Sequence, residues 1–144
     1  MIRTGVTAES IDVAQAVAEV AGATHGGIAV FIGTVRESAA VEGHGGKSVT
    51  RLDYEAHPTL AAAKLEEIAA AAAAKWDVGA VVALHRTGTC ELGEPTVVVA
   101  CGAPHRGDAL DACRYIIDTI KAEAPIWKRE VYADSGGSAW VGTP

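Results

Sequence analysis

At 144 residues, with 49% hydrophobic and 21% charged side chains, the chain has the size and make-up of one globular domain that buries its own core. A formal net charge of -6 excludes a general nucleic-acid binder, whose phosphate contacts require a basic surface. Met1 to Val20 lacks the basic flank and apolar core of a secretory signal, and apolar runs such as Ile68 to Ala74 are too short to cross a bilayer, so a soluble, cytoplasmic protein is expected.

In chain order, Ile2 to Val6 predicts a short strand. A helix follows over Ser10 to Ala21, with Ile11, Ala14, Val17, Ala18 and Ala21 at helical spacing. Gly26-Gly27 opens a strand from Ile28 to Arg36, in which Ile28, Val30, Ile32 and Thr34 share a face. Glu37 to Lys47, with Gly43, Gly45 and Gly46, reads as a mobile loop, and Val49 to Glu55 as the next strand. Pro58 suits the first turn of a long Ala-rich helix reaching Trp76. Val78 to Arg86 and Pro95 to Cys101 are β-rich runs that Gly88 and Gly93 join into a hairpin-like meander. Asp108 is placed to N-cap a helix with Leu110, Cys113, Ile117 and Ile120 on its apolar face. Pro125 ends that helix, Ile126 to Tyr132 forms a strand, and Trp140-Val141 a closing segment. Without internal repeat or long linker, residues 1–144 read as a single α/β domain.

Cys101 to Glu130 holds five Arg or Lys against five acids, so the rest of the chain, with seven basic and thirteen acidic residues, carries the whole negative excess. A small anionic substrate is best received there. His105-Arg106 directly precedes the helix, where free N–H groups and two cationic side chains make an anion site. Lys121 in the last turn and Lys128 beyond it flank a Pro-Ile-Trp break; a lysine whose pKa is lowered by burial or neighbouring cations serves as acid, base or nucleophile. His85-Arg86 reads as structural, with Arg86 paired to Glu91 or Glu94. Gly43-His44-Gly45-Gly46-Lys47-Ser48 is not a phosphate loop: Val41 stands where the motif needs glycine, and a strand follows instead of a helix. Cys90, Cys101 and Cys113 have no metal-binding spacing and read as reduced core thiols, leaving no metal or cofactor implied.

Several blocks together resemble a known family: Phe31-Ile32-Gly33-Thr34-Val35-Arg36, Leu52-Asp53-Tyr54-Glu55-Ala56-His57, His85-Arg86-Thr87-Gly88, His105-Arg106, Ile116 to Lys121, and Pro125-Ile126-Trp127-Lys128-Arg129-Glu130. In this order they are similar to the large, catalytic subunit of molybdopterin synthase, over about Gly26 to Val141. The resemblance implies an α/β hammerhead fold and a sulfur transfer that builds the dithiolene of molybdopterin from precursor Z, a cyclic pyranopterin monophosphate. It implies sulfur delivery as a thiocarboxylate on the C-terminal Gly-Gly of a small ubiquitin-like subunit, in a heterotetramer built on a homodimer of large subunits. By motif position, Arg36, His105, Arg106, Lys121 and Lys128 match the family's active-site residues, with Lys121 and Lys128 catalytic. Thr34, Val35, Arg129 and Glu130 lie in the same blocks and are carried over as substrate contacts. The sequence ends at Pro144, before the polar tail with a further basic residue that relatives often carry, and its 37–47 loop is unusually glycine-rich.

Two other readings compete. A non-catalytic module binding a phosphorylated small ligand would use Arg36, His105 and Arg106 but has no need of the two lysines. A persulfide-carrying sulfurtransferase would need a reactive thiol. One geometric expectation follows from the helix alone: Asp108 and Lys121 are thirteen residues apart, on the order of 20 Å along the axis. A small substrate does not span that distance, so a site using both helix ends is expected to form across a two-fold dimer interface.

Overall fold

A computed structural model describes residues 1–41 and 43–141. Two four-stranded sheets and three helices make a mixed α/β fold. The first sheet has the order β1-β4-β6-β2, formed by β1 (Ile2–Thr7), β4 (Ala80–Arg86), β6 (Pro95–Ala103) and β2 (Gly27–Thr34). Here β1 runs parallel to β4, and the other two pairings are antiparallel. The second sheet has the order β5-β3-β7-β8, from β5 (Gly88–Glu91), β3 (Val49–Ala56), β7 (Ile126–Tyr132) and β8 (Ser138–Trp140), antiparallel throughout.

Helices α2 (Leu60–Lys75) and α3 (Arg106–Glu123) cover one face of the first sheet, and α1 (Val13–Val20) covers part of the other. The uninterrupted apolar run in β4 follows from this arrangement, since all seven of its residues are buried between helices on both faces. Leu65, Ile68, Val81, Val97, Val99, Ile116 and Ile120 fill the layer under α2 and α3. Val82, Leu84 and Val98 meet Val20 of α1. A third cluster, with Val35, Val49, Leu52, Tyr54 and Tyr132, lines the inner face of the second sheet.

Several sequence expectations need correction. Helix α1 begins only at Val13, because the Asp12 side chain caps it by accepting from Gln15 N at 3.0 Å; Ile11 lies outside. Strand β2 stops at Thr34, so Val35 and Arg36 belong to the turn that follows. Helix α2 starts at Leu60, with Pro58 just before it. Helix α3 starts at Arg106 with His105 in the cap position, and Asp108 sits inside its first turn, where its charge opposes the positive helix end without capping it. Leu110 is 59% exposed, since the buried stripe is Ala109, Ala112, Cys113, Ile116, Ile117 and Ile120. The meander is real, with β4 and β6 antiparallel, but the four residues of β5 leave it to pair with β3. Gly88 and Gly93, at φ 79° and 77°, make the two sharp departures.

Candidate functional site

Where α3 ends, Ala124 and Pro125 break the helix and turn the chain directly into β7. Lys121, in the last helical turn, and Lys128, three residues into the strand, are thereby folded toward each other. Together with Tyr54, His85, Pro125, Trp127 and Val141 they line a cavity of about 410 Å³. Tyr54 lies opposite Lys128 in the strand register, and Val141 is drawn in by its N–H, which donates to Lys128 O at 2.9 Å. A smaller cavity of about 140 Å³ shares Tyr54, Lys121 and Lys128 and adds Thr34, Arg36 and Glu130. The two recesses form one cationic cleft at the seam between the sheets.

Burial first, and the neighbouring Lys128 charge second, lower the Lys121 pKa to about 8. Solvent still reaches this side chain through the open mouth of the cleft. Lys128 is also lowered, by burial and by Arg36, although Glu130 opposes the shift. A lysine near pKa 8 is one of the few protein groups able both to give and to take a proton near neutrality. His85, 2% exposed, shares the cleft; burial, then the two lysine charges, depress its pKa to about 4 despite a hydrogen bond to Arg86 O.

Thr34 and Arg36 reach the smaller recess. Val35 does not present its side chain there, being 3% exposed in the core of the second sheet; its backbone exchanges bonds with Glu94 O and Gly93 N. Arg129 points to the opposite face of β7 from Lys128, where it donates to Asp53 at 3.0 Å and lies over the Trp140 ring. Asp53 is held below the usual carboxylate range: burial acts against this, but bonds from Arg129, Arg51 and Thr89 prevail. Glu130 lines the recess, yet it is 3% exposed and its oxygens are occupied by internal donors. Oε2 accepts from Ala40 N at 2.8 Å, and Oε1 from Val41 N at 3.2 Å and Tyr132 Oη–H at 2.8 Å.

The loop expected to be mobile is therefore anchored. Its base closes through Val49 N to Glu37 O and a Ser38–Ser48 bridge, while His44 stacks on Tyr132 at 5.1 Å. Arg86, as expected, pairs with Glu94. All three cysteines are buried, and burial pushes the Cys90 thiol up. Tyr54 and His85 are the cleft residues that sequence reasoning missed as site residues. Tyr54 was accessible to it, since it shares the inward phase of β3 with Leu52.

His105 and Arg106 are brought together at the start of α3 but lie on the surface and line neither recess. They stand beside the start of β2, where a Cβ on Gly27 would come within 2.9 Å of Arg106 Cα. The other end of β2, Gly33 and Thr34, borders the recess that holds Lys121. Helix α3 thus runs along β2 with its two cationic ends near opposite ends of the strand. β2 is an edge strand of its sheet, and it exposes Ile28, Val30, Phe31 and Ile32 by 38–42%. Ile28, Val30 and Ile32 share one face of the strand, which α1 is too short to cover.

Proteins similar to this chain in sequence and fold are subunits of a biosynthetic enzyme. The model of the MoaE protein family matches residues 6–123. The molybdopterin synthase catalytic subunit 1 of Mycobacterium tuberculosis is 39% identical over 137 residues, covering 95% of this chain and 88% of the relative. The Bacillus subtilis catalytic subunit is 37% identical over 142 residues, covering 99% and 86%. The crystal structure of molybdopterin synthase from Staphylococcus aureus superposes with a TM-score of 0.84 at 33% identity, over 96% of both chains. The chain belongs to the MoaE family of molybdopterin synthase catalytic subunits. A complex of subunits 1 and 2 of the molybdopterin-converting factor from Helicobacter pylori shares the fold, with a TM-score of 0.68 at 20% identity over 94% of this chain and 92% of that one. Among the described residues no helix is long and apolar enough to cross a membrane, and no cluster of three His, Cys, Asp or Glu is placed to hold a metal.

Proposed function

We propose that this chain is a sulfurtransferase that converts precursor Z to molybdopterin, taking sulfur from the thiocarboxylated Gly-Gly terminus of a small ubiquitin-like subunit. The observation that carries the reading is the convergence of Lys121, Lys128 and Arg36 on one cleft at the seam of the sheets. A thiocarboxylate and a cyclic phosphate are both anions, and three cations in a partly desolvated cleft favour bringing them together. A glycine tail has no side chains to exclude it from a narrow recess walled by Pro125 and Trp127. Lys121 is the group closest to proton transfer at working pH: with a pKa of about 8, roughly a tenth of it is neutral at pH 7. Its role is either proton exchange with the reacting groups or a transient covalent link to the tail's terminal carbonyl. Lys128 and Arg36 position substrate and balance developing charge.

His105 and Arg106 join this site from a second copy of the chain. From Arg106 to Lys121 is roughly 22 Å along α3, and β2, eight residues long, spans roughly 24 Å. A two-fold axis through the middle of β2, near Val30 and Phe31, sets two copies of the strand antiparallel. The Gly27 end, with its His105-Arg106 pair, then lies beside the Thr34 end of the neighbour, with its Lys121-Lys128 cleft. The exposed Ile28, Val30, Phe31 and Ile32 supply the apolar contact that such an axis needs.

Purifying the chain with a thiocarboxylated small subunit and assaying conversion of precursor Z tests the activity; no molybdopterin from an intact complex overturns it. Mixing inactive Arg106→Ala chains with inactive Lys121→Ala chains tests the shared site. Partial recovery is expected, because some mixed dimers hold one cleft with both residues intact. No recovery after demonstrated subunit exchange places every essential group in one chain.

A further inference from the structure

Tyr54 lines both recesses, as do Lys121 and Lys128, so these three side chains mark where the larger cavity meets the smaller one. The strand register puts it there. Tyr54 of β3 lies opposite Lys128 of β7, and such cross-strand partners project from the same face of a sheet with Cβ atoms roughly 5 Å apart. The ring meets His85 edge-on at 5.0 Å and 70°, and it belongs to the core cluster that contains Val49 and Leu52. Only 5% of the residue is exposed.

A buried tyrosine ordinarily finds a partner for its hydroxyl. Among the described residues this one has none: the Thr96 hydroxyl, on the same recess, donates instead to Gly33 O at 3.2 Å. The side-chain polar atoms that are both enclosed and unpartnered are the Nε atoms of Arg86 and Arg129. The Tyr54 oxygen, unpartnered but not enclosed, therefore faces the cleft. Burial pushes its pKa above the usual tyrosine value, so at neutral pH the oxygen carries a hydrogen to give. The acids on the two recesses are committed elsewhere. Glu130 accepts from Ala40, Val41 and Tyr132, and Glu123, an exposed side chain, pairs with Lys64 at 3.8 Å.

We propose that Tyr54 is a further substrate-binding residue, its hydroxyl donating to the anionic group that Lys121 and Lys128 receive where the recesses meet. A neutral donor suits this position. Two ammonium groups and the Arg36 guanidinium already supply the charge, and another cation would lower the proton affinity of the lysines again. A phenol adds a directional hydrogen bond, stronger to a charged acceptor than to a neutral one, and no charge. The acceptor is an oxygen of a phosphate or of a carboxylate-type chain end, which share this recognition chemistry. The proposal deepens the sulfur-transfer reading and rests on it for the identity of the anion.

Tyr54→Phe removes the oxygen and keeps the ring, so the fold and its Tm are expected to be retained. Two anions are offered to the full chain. One is inorganic phosphate; the other is the small subunit with its Gly-Gly carboxylate, compared with a small subunit lacking those two glycines. Loss of one hydrogen bond to a charged group raises Kd roughly tenfold. Such a loss for phosphate in Tyr54→Phe identifies the phosphate as acceptor. The same loss for the small subunit, seen only with the intact tail, identifies the tail. Wild-type affinity for both overturns the proposal, as does a wild-type chain that binds neither phosphate nor the tail. In wild type carrying ¹³Cζ-labelled tyrosine, the Tyr54 resonance should move when the bound anion is added. A stationary resonance overturns the proposal even where Tyr54→Phe does not fold. If the intact complex makes no molybdopterin while these affinities fall as expected, the reaction assignment fails and the role of Tyr54 stands.

Discussion

Replacing Glu130 tests the loop anchor most directly, because its cost can be worked out bond by bond. The carboxylate is almost wholly buried and accepts from Ala40 N, Val41 N and Tyr132 Oη–H. Hydrogen bonds to a charged group contribute about 1.5–3 kcal/mol each, but donors that regain water recover part of this. Ala40 is exposed, so the two loop N–H groups rehydrate when the carboxylate is removed, and their share falls at the low end. The Tyr132 hydroxyl is on a residue only 5% exposed and loses its partner outright. Relief from holding a carboxylate out of water offsets some of the sum. Glu130→Ala is therefore expected to lower stability by about 3 kcal/mol, a fall in Tm on the order of 10 °C for a chain of this size. Glu130→Gln should cost less, about 1–2 kcal/mol, since one side of the carboxamide turns N–H groups toward donors. Hydrogen exchange reads the local event: the Ala40 and Val41 amides should lose protection in both variants, with the helices unaffected in Gln. Unchanged exchange at those two amides, together with a Tm within about 2 °C of wild type in Glu130→Ala, refutes the anchor.

Tyr132 has its pKa pushed up to about 12, by burial and then by Glu130. A group whose folded pKa is raised contributes stability that is complete below its unfolded pKa, near 10, and is lost as pH climbs through 12; denaturation against pH should show this alkaline limb, and Tyr132→Phe should lack it. Lys121→Ala is expected to abolish turnover with Tm and small-subunit binding nearly intact, and wild-type turnover in that variant would remove Lys121 from the chemistry. Lys128→Ala should lose ~10²-fold or more in rate; unchanged kinetics at limiting and saturating substrate would make Lys128 an ordinary surface charge.

What could be read from the sequence divides along physical lines. The end of α3 followed from Pro125, since a proline restricts its neighbours whatever the tertiary context. The approach of Lys121 to Lys128 did not follow from spacing alone, because seven extended residues can span roughly 24 Å; it comes from the turn at Ala124 and Pro125 that leads directly into β7. The partition into two sheets did not follow, because β5 has only four residues between two glycines and looks like a turn. Glu130 was carried over as a substrate contact because it lies in the Pro125 to Glu130 block that resembles the family. The two backbone donors to its carboxylate lie 89 and 90 residues away in the chain, and no local pattern announces them. His85 was obscured for the opposite reason: β4 is buried on both faces, so it has no alternation to reveal which residue meets a cavity.

The β2 strand shows where such reading must stop and why the structure changes its meaning. Residues 28–32 of β2 are apolar at every position, and such a run cannot distinguish cover by the chain's own helices from cover by another copy. Helix α1, at eight residues, reaches β4 and β6 with few contacts to β2, so the chain leaves this apolar strip open. The distance between the two ends of α3 was legible, being fixed by the helical rise. What the sequence could not supply was the element lying alongside it. That element is an edge strand of nearly the same length, with the His105-Arg106 pair at one end and the lysine cleft at the other. An open apolar edge with a cationic group at each of its two ends would be completed by the same edge reversed, and this relates the shape of the monomer to the proposed shared site.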